Sequence, residues 1–216
     1  MQSSIQWPRV YPILDSSFIS VIGRAAFLRR LAGTLAEAGV TLLEYRNKTG
    51  SQDELLADAA ILRAAMPAKQ VKLILDDRAD LVEKTGFDGV HVDAGDLTPA
   101  EARKLLSPDR IIGTFGGGAT GMVPGVLETP ADYFSIGPVF ATRTKQTASP
   151  LIGMEGVRRL RAEAGTAPVL VAIGGITLAT AAEAIAAGAT MVAIAGAIFR
   201  QPDPAAEFLK WGSALG

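Results

Sequence analysis

The chain has 216 residues, 49% of them hydrophobic and 20% charged, a balance that suits one sizeable packed core and excludes an intrinsically disordered protein. Its formal net charge of −1 offers no electrostatic footing for nucleic acid or anionic lipid, and no apolar run approaches the roughly 20 residues that span a membrane. With no cysteine and a single histidine, His91, the chain excludes disulfides, thiol catalysis, thiolate metal sites and a multi-histidine metal site.

Taken in order, the first predicted strand covers residues 10–14, followed by an amphipathic helix over 25–37. The join Ala38-Gly39-Val40 then leads into a second strand at 42–46, because glycine closes a helix and an apolar run follows. A helix over 53–65 precedes the third strand at 72–75. A shorter helix starting near Ala79 ends at Thr85-Gly86, before the fourth strand at 89–92. The fifth strand is expected at 111–115 and the sixth at 133–136, separated by a weak helix over 121–129 that Pro124 and Gly125 interrupt. A seventh strand at 169–173, a helix over 179–187, the join Ala187-Gly188 and an eighth strand at 191–194 complete the pattern. Short apolar strands without strict alternation point to a parallel sheet covered by helices. Eight βα units in series predict an α/β fold, a (β/α)8 TIM barrel, with residues 1–216 as one domain.

In such a barrel the strand ends converge on one mouth, where four clusters fall. In Glu44-Tyr45-Arg46-Asn47-Lys48, alternation sends Glu44 and Arg46 to the same face and Lys48 follows in the loop. Two cations there suit a di- or triphosphate, and the alternative is a solvated strand end. In the second cluster, Asp77 and Asp96 follow adjacent strands and can share one Mg²⁺, an ion that takes a few carboxylates together with substrate phosphates. Asp93 rivals Asp96, and Asp76 or Asp80 can instead cap the helix near Ala79. The third cluster, 137–145, begins Gly-Pro and offers Thr142, Thr144 and Lys145 to an anion, against the alternative of an ordinary surface loop. The fourth pairs Gly174-Gly175 with Ala195-Gly196-Ala197, the loops after strands seven and eight that form the recurrent phosphate site of this fold. His91 suits either acid–base work or structural support at a strand end. Trp7, Trp211 and the five methionines are expected to serve packing.

These motifs, together with Asp88-Gly89-Val90-His91 and Ala172-Ile173-Gly174-Gly175-Ile176, make the chain resemble the thiamine phosphate synthase family over nearly its whole length. The resemblance implies transfer of a pyrimidinylmethyl group from hydroxymethylpyrimidine diphosphate to thiazole phosphate, with Mg²⁺ as cofactor and diphosphate as leaving group. It implies that Arg46, Lys48 and Lys145 hold the diphosphate, with Asp76 nearby, and that Asp77 and Asp96 hold Mg²⁺. Thr142, Thr144, Gly174, Gly175 and Gly196 would then receive the thiazole phosphate, while Glu44, His91 and Phe115 join the substrate-binding set, Glu44 and Phe115 standing where the pyrimidine is read. This chain departs from the family's usual pattern at Glu44, in place of glutamine, and at Asp76, in place of asparagine. It also departs at Ala94, at Phe115-Gly116-Gly117-Gly118 and at Gly196. A thiazole tautomerase-like isomerase and a non-catalytic phosphate-binding barrel are the alternatives. The implied partners are small phosphorylated molecules, without nucleic acid or membrane. The expected location is cytoplasmic, and a homo-oligomer is compatible with these features.

Overall fold

The computed structural model of the chain describes residues 5–93, 95–142 and 149–216. Strands β1 (Val10–Asp15), β2 (Leu42–Arg46), β3 (Lys72–Asp76) and β4 (Gly89–Val92) alternate with helices α1 (Arg24–Glu37), α2 (Gln52–Ala65) and α3 (Val82–Thr85). Helix α4 (Pro99–Leu105) leads to β5 (Ile111–Gly118), which turns back through the two-residue β6 (Gly121–Met122) before β7 (Tyr133–Ile136). Helix α5 (Gly153–Ala164), β8 (Leu170–Ile173), α6 (Leu178–Ala186), β9 (Met191–Ile194), α7 (Gly196–Phe199) and α8 (Pro204–Leu215) follow. Among the described residues the sheet runs β4-β3-β2-β1-β9-β8-β7-β5, and β4 pairs with β5. Eight parallel strands therefore close into a (β/α)8 barrel, with β6 antiparallel on β5.

The two-residue period of the strands divides the core in two. Leu43, Tyr45, Leu73, Leu75, Val90 and Val92 face outward into the large cluster shared with the helices. Their neighbours Leu42, Ile74, Tyr11, Ile13, Ile111 and Tyr133 fill the barrel interior. Each strand therefore reads as nearly continuous hydrophobic sequence, as a strand buried on both faces must. The joins act as the sequence suggests: Gly86 closes α3 in the left-handed conformation, at φ 69°, and β4 begins three residues later.

Two local expectations are corrected. The weak helix over 121–129 does not form. Gly121 and Met122 pair instead with Gly118 and Gly117, and only the 3-10 turn Val126–Glu128 follows. Pro124 supplies no amide proton to a helix there, and β5 gives the backbone of 121–122 a ladder partner. Nor is the helix near Ala79 capped by an aspartate. It begins as a 3-10 turn, Ala79–Leu81, whose capping residue Arg78 makes no side-chain cap bond. Asp80 pairs with Arg78, and Asp76 faces the barrel mouth.

One glycine makes room for the barrel's central aromatic residue. A β-carbon at Gly113 would lie 2.0 Å from Tyr133 Cζ. Gly113→Ala is expected to lower stability by about 1–3 kcal/mol, since the buried Tyr133 ring would have to shift away from its hydrogen-bond partners Tyr11 and His91. Urea denaturation checks this, and an unchanged midpoint would contradict it.

Candidate active site

Alternation on β2 and β3 turns Glu44, Arg46 and Asp76 inward at the C-terminal end of the barrel, where β4 adds His91. They line a cavity of about 530 Å³ together with Phe115 of β5, Thr142, Gly174, Gly175 and Gly196. These predicted residues, distant in sequence, share one space. Tyr11, Asp93, Tyr133 and Arg200 also line it. Of these, only Asp93 stands out in the sequence, as a rival metal ligand. The signal for Tyr11 and Tyr133 was their polar oxygen on the inward phase of otherwise apolar strands.

The floor is a buried hydrogen-bonded chain. Tyr11 donates its hydroxyl proton to Glu44 Oε2 at 2.9 Å, and its oxygen lies 2.9 Å from the Tyr133 hydroxyl. Tyr133 reaches His91 Nδ1 at 3.1 Å and stacks on the imidazole at 5.5 Å between centroids. On its other side, His91 Nε2 lies 3.6 Å from Asp93 Oδ1. Burial pushes the Glu44 carboxyl up to about 7; the charge of His91 opposes this, while Asp76 and Asp93 add to it. Burial by itself would lower the His91 value, but Asp93, Glu44 and Asp76 outweigh it and hold it above the usual 6.5. Burial, reinforced by the Glu44 charge, also keeps both tyrosine hydroxyls protonated well beyond neutrality.

On the β1–β3 side, cations and carboxylates are interleaved. Arg46 pairs with Asp15 at the end of β1, and its Nε lies 3.7 Å from Asp76 Oδ2. Lys48 Nζ pairs with Asp77 and lies 2.9 Å from Asp76 Oδ2. Asp76 Oδ2 is nevertheless out of hydrogen-bond alignment with these cations. Among the described residues it and Asp77 Oδ1 are buried side-chain oxygens without a hydrogen-bond partner. Asp77 holds φ at 63°, a left-handed conformation that aspartate tolerates better than most residues. Lys48 and Asp77 stand at the rim rather than in the lining. Asp96, exposed, closes a turn by accepting the Asp93 backbone N–H at 3.1 Å. Among the described residues no group of three or more candidate ligands converges on a metal position. The orphaned buried oxygens of Asp76 and Asp77 are hard donors of the kind that a magnesium ion takes together with water and phosphate.

The opposite side of the mouth has another character. The loops after β7 and β8 are laced together by Val139 N–H to Ile173 O and Phe140 N–H to Gly174 O, each 2.9 Å. Gly175 sits at φ 60°, and a β-carbon there would lie 2.3 Å from Ala141 O, so only glycine fits. Backbone is thereby brought to the cavity wall without intervening side chains, the property a phosphate cup needs. Thr144 and Lys145, predicted in the same loop, and Ala94 lie outside the described residues. Elsewhere, Trp211 is buried in the helical layer, as a packing role requires. Among the described residues no helix is long and apolar enough to cross a membrane.

Comparison with known proteins agrees with this geometry. Residues 10–198 match the family described as thiamine monophosphate synthase. The chain is 40% identical over 211 residues to the thiamine-phosphate synthase of Koribacter versatilis, covering 97% of this chain and 98% of that one. It is 37% identical over 194 residues to the thiamine-phosphate synthase of Methanoculleus marisnigri, with coverages of 90% and 89%. Among solved structures, thiamine phosphate pyrophosphorylase from Pyrococcus furiosus superposes with a TM-score of 0.77 at 23% identity, covering 96% of this chain and 95% of that one. A 3-hexulose-6-phosphate synthase shares the fold at a TM-score of 0.65 and 20% identity, covering 96% and 100%.

Proposed function

The chain belongs to the thiamine monophosphate synthase family, and from that membership we propose how its mouth makes thiamine phosphate. The bond between the pyrimidine methylene carbon and the diphosphate oxygen breaks, diphosphate leaves with its electron pair, and the thiazole nitrogen attacks the methylene carbon. Departure of diphosphate leaves a cation-like methylene group, so the main demand on the protein is to neutralise charge growing on the leaving oxygens.

The observation that carries this reading is the division of a single cavity into a charged side and a glycine-lined side. Arg46, Lys48 and Lys145 are assigned to the diphosphate. Lys48 starts out paired with Asp76 and Asp77 and must leave at least one of them to meet the substrate. Asp77 and Asp96 would hold Mg²⁺, which when bound supplies positive charge to the leaving diphosphate. Thr142, Thr144, Gly174, Gly175 and Gly196 are assigned to the thiazole phosphate. Glu44, His91 and Phe115, with the tyrosines beneath them, are assigned to the pyrimidine ring. A neutral carboxylic acid offers one donor and one acceptor, and the ring nitrogen and amino group of an aminopyrimidine present the complementary pair. We further assign this chemistry to residues 1–216 acting as one domain, in the cytoplasm, on small phosphorylated partners without nucleic acid or membrane.

The test mixes purified protein, Mg²⁺, hydroxymethylpyrimidine diphosphate and thiazole phosphate and reads products by mass spectrometry. The expected result is thiamine phosphate that disappears with EDTA. Folded protein that binds thiazole phosphate yet forms no product would overturn the transferase assignment.

A further inference from the structure

The cavity is electrostatically lopsided. Its described carboxylates, Glu44, Asp76 and Asp93, stand on the β2–β4 side, where Arg46 is already engaged by Asp15. The side built from β8 and β9 has no described carboxylate in its lining, yet its lining includes a cationic residue, Arg200. Arg200 follows α7, and its backbone N–H bonds to Gly196 O at 3.2 Å, so it stands one turn beyond the glycine assigned to the thiazole phosphate. Among the described residues no carboxylate pairs with it. Its guanidinium carbon instead lies 5.4 Å from the centroid of the Phe18 ring, which in turn stacks on Phe199 at 6.1 Å and 17°. Stacking on an aromatic face holds a guanidinium in place while leaving its in-plane N–H donors free, the arrangement suited to gripping phosphate oxygens.

We propose that Arg200, held against Phe18, binds the phosphate of the thiazole substrate and sets the enzyme's preference for the phosphorylated over the unphosphorylated thiazole. This rests on the reading that the Gly175 and Gly196 side of the cavity receives that phosphate. A monoester dianion arriving there meets a cation that no described carboxylate competes for. On the opposite side, every described cation in the mouth is shared with aspartates. The asymmetry would sort the two substrates by charge and position: the diphosphate goes to the carboxylate-rich side, where a metal can join it, and the monophosphate to the glycine-lined side.

Calorimetry with thiazole phosphate and with the corresponding thiazole alcohol tests the proposal on wild type, Arg200→Ala, Arg200→Lys and Phe18→Leu. Arg200 is exposed, so its truncation leaves the core intact. Wild type is expected to prefer the phosphate. Arg200→Ala should lose about tenfold or more in affinity for thiazole phosphate and little for the alcohol, because a charge-assisted hydrogen bond is lost. Arg200→Lys should recover part of that loss, and Phe18→Leu should show a smaller loss confined to the phosphate. In turnover assays the KM for thiazole phosphate should rise in Arg200→Ala while that for the pyrimidine diphosphate stays within about twofold. Full phosphate preference in Arg200→Ala, or an equal loss for phosphate and alcohol, would overturn the role of Arg200 and leave the glycine side standing. A wild-type protein indifferent to the phosphate would overturn the glycine-side reading, and Arg200 with it.

Discussion

Asp77→Asn is expected to reduce Mg²⁺-dependent formation of thiamine phosphate on the order of 100-fold or more, with the melting temperature nearly unchanged. The choice of asparagine follows from the backbone. Asp77 sits at φ 63°, where alanine would add strain of roughly 1–2 kcal/mol and confuse a chemical loss with a structural one. Asparagine tolerates that conformation and preserves the shape of the side chain while removing its charge. Asp77 Oδ1 makes no hydrogen bond among the described residues, so folding forfeits little there. Lys48 loses one partner and keeps the other, Asp76, at 2.9 Å. Asp96→Asn should lose Mg²⁺-dependent turnover in the same way. The two variants, assayed across a magnesium titration, should share a raised metal requirement or none that can be met. Wild-type turnover at low magnesium in either one would remove that residue from the metal assignment.

A second large effect is expected in the pH profile. Glu44 is buried, with its carboxyl pushed up to about 7, first by burial and then by the charges of Asp76 and Asp93 against that of His91. Below that value the neutral acid presents a donor and an acceptor to the pyrimidine edge. Above it the carboxylate presents two acceptors to a ring nitrogen lone pair, and it places another negative charge near the diphosphate. kcat/KM for the pyrimidine diphosphate should therefore fall as pH rises through about 7, approaching tenfold per pH unit above it. Glu44→Gln retains one donor and one acceptor at every pH, so this alkaline fall should be absent from its profile. Stability should follow the same group. Between the usual glutamate value of 4.5 and about 7, the folded protein holds a proton that the unfolded chain has released, so stability declines as pH rises across that window and levels off above it. Thermal melts at pH 5 and pH 8 should show wild type losing ground relative to Glu44→Gln. Identical profiles for the two proteins would mean that Glu44 does not titrate in this range.

Much of the barrel follows from local chemistry. Glycine-closed helices, apolar strand runs and their eightfold recurrence are one-dimensional features, and β2, β4, β7 and β9 span the residues that pattern marks out. Alternation also carries over directly, because two residues apart on one strand means the same face. Glu44 and Arg46 share the mouth for that reason alone. The expectation failed at 121–129, where β5 offered a ladder partner that no local rule anticipates, and near Ala79, where Arg78 took the carboxylate that could have capped a helix. Tyr11 and Tyr133 are 122 residues apart and meet with Glu44 and His91 only because strand register closes the barrel. Arg200 reads as a surface residue until Phe18, from the turn after β1, is brought beneath it.

Local sequence specifies the repeating unit, the end of the barrel where the polar clusters fall and the residue types available there, because periodicity and loop position are properties of neighbours along the chain. Which charges face one another follows from the packed fold: Lys48 between Asp76 and Asp77, Glu44 among buried tyrosines, and a glycine-lined wall without a described carboxylate beside Arg200. Electrostatic interaction depends on distance and burial in space, and neither can be read from separation along a chain.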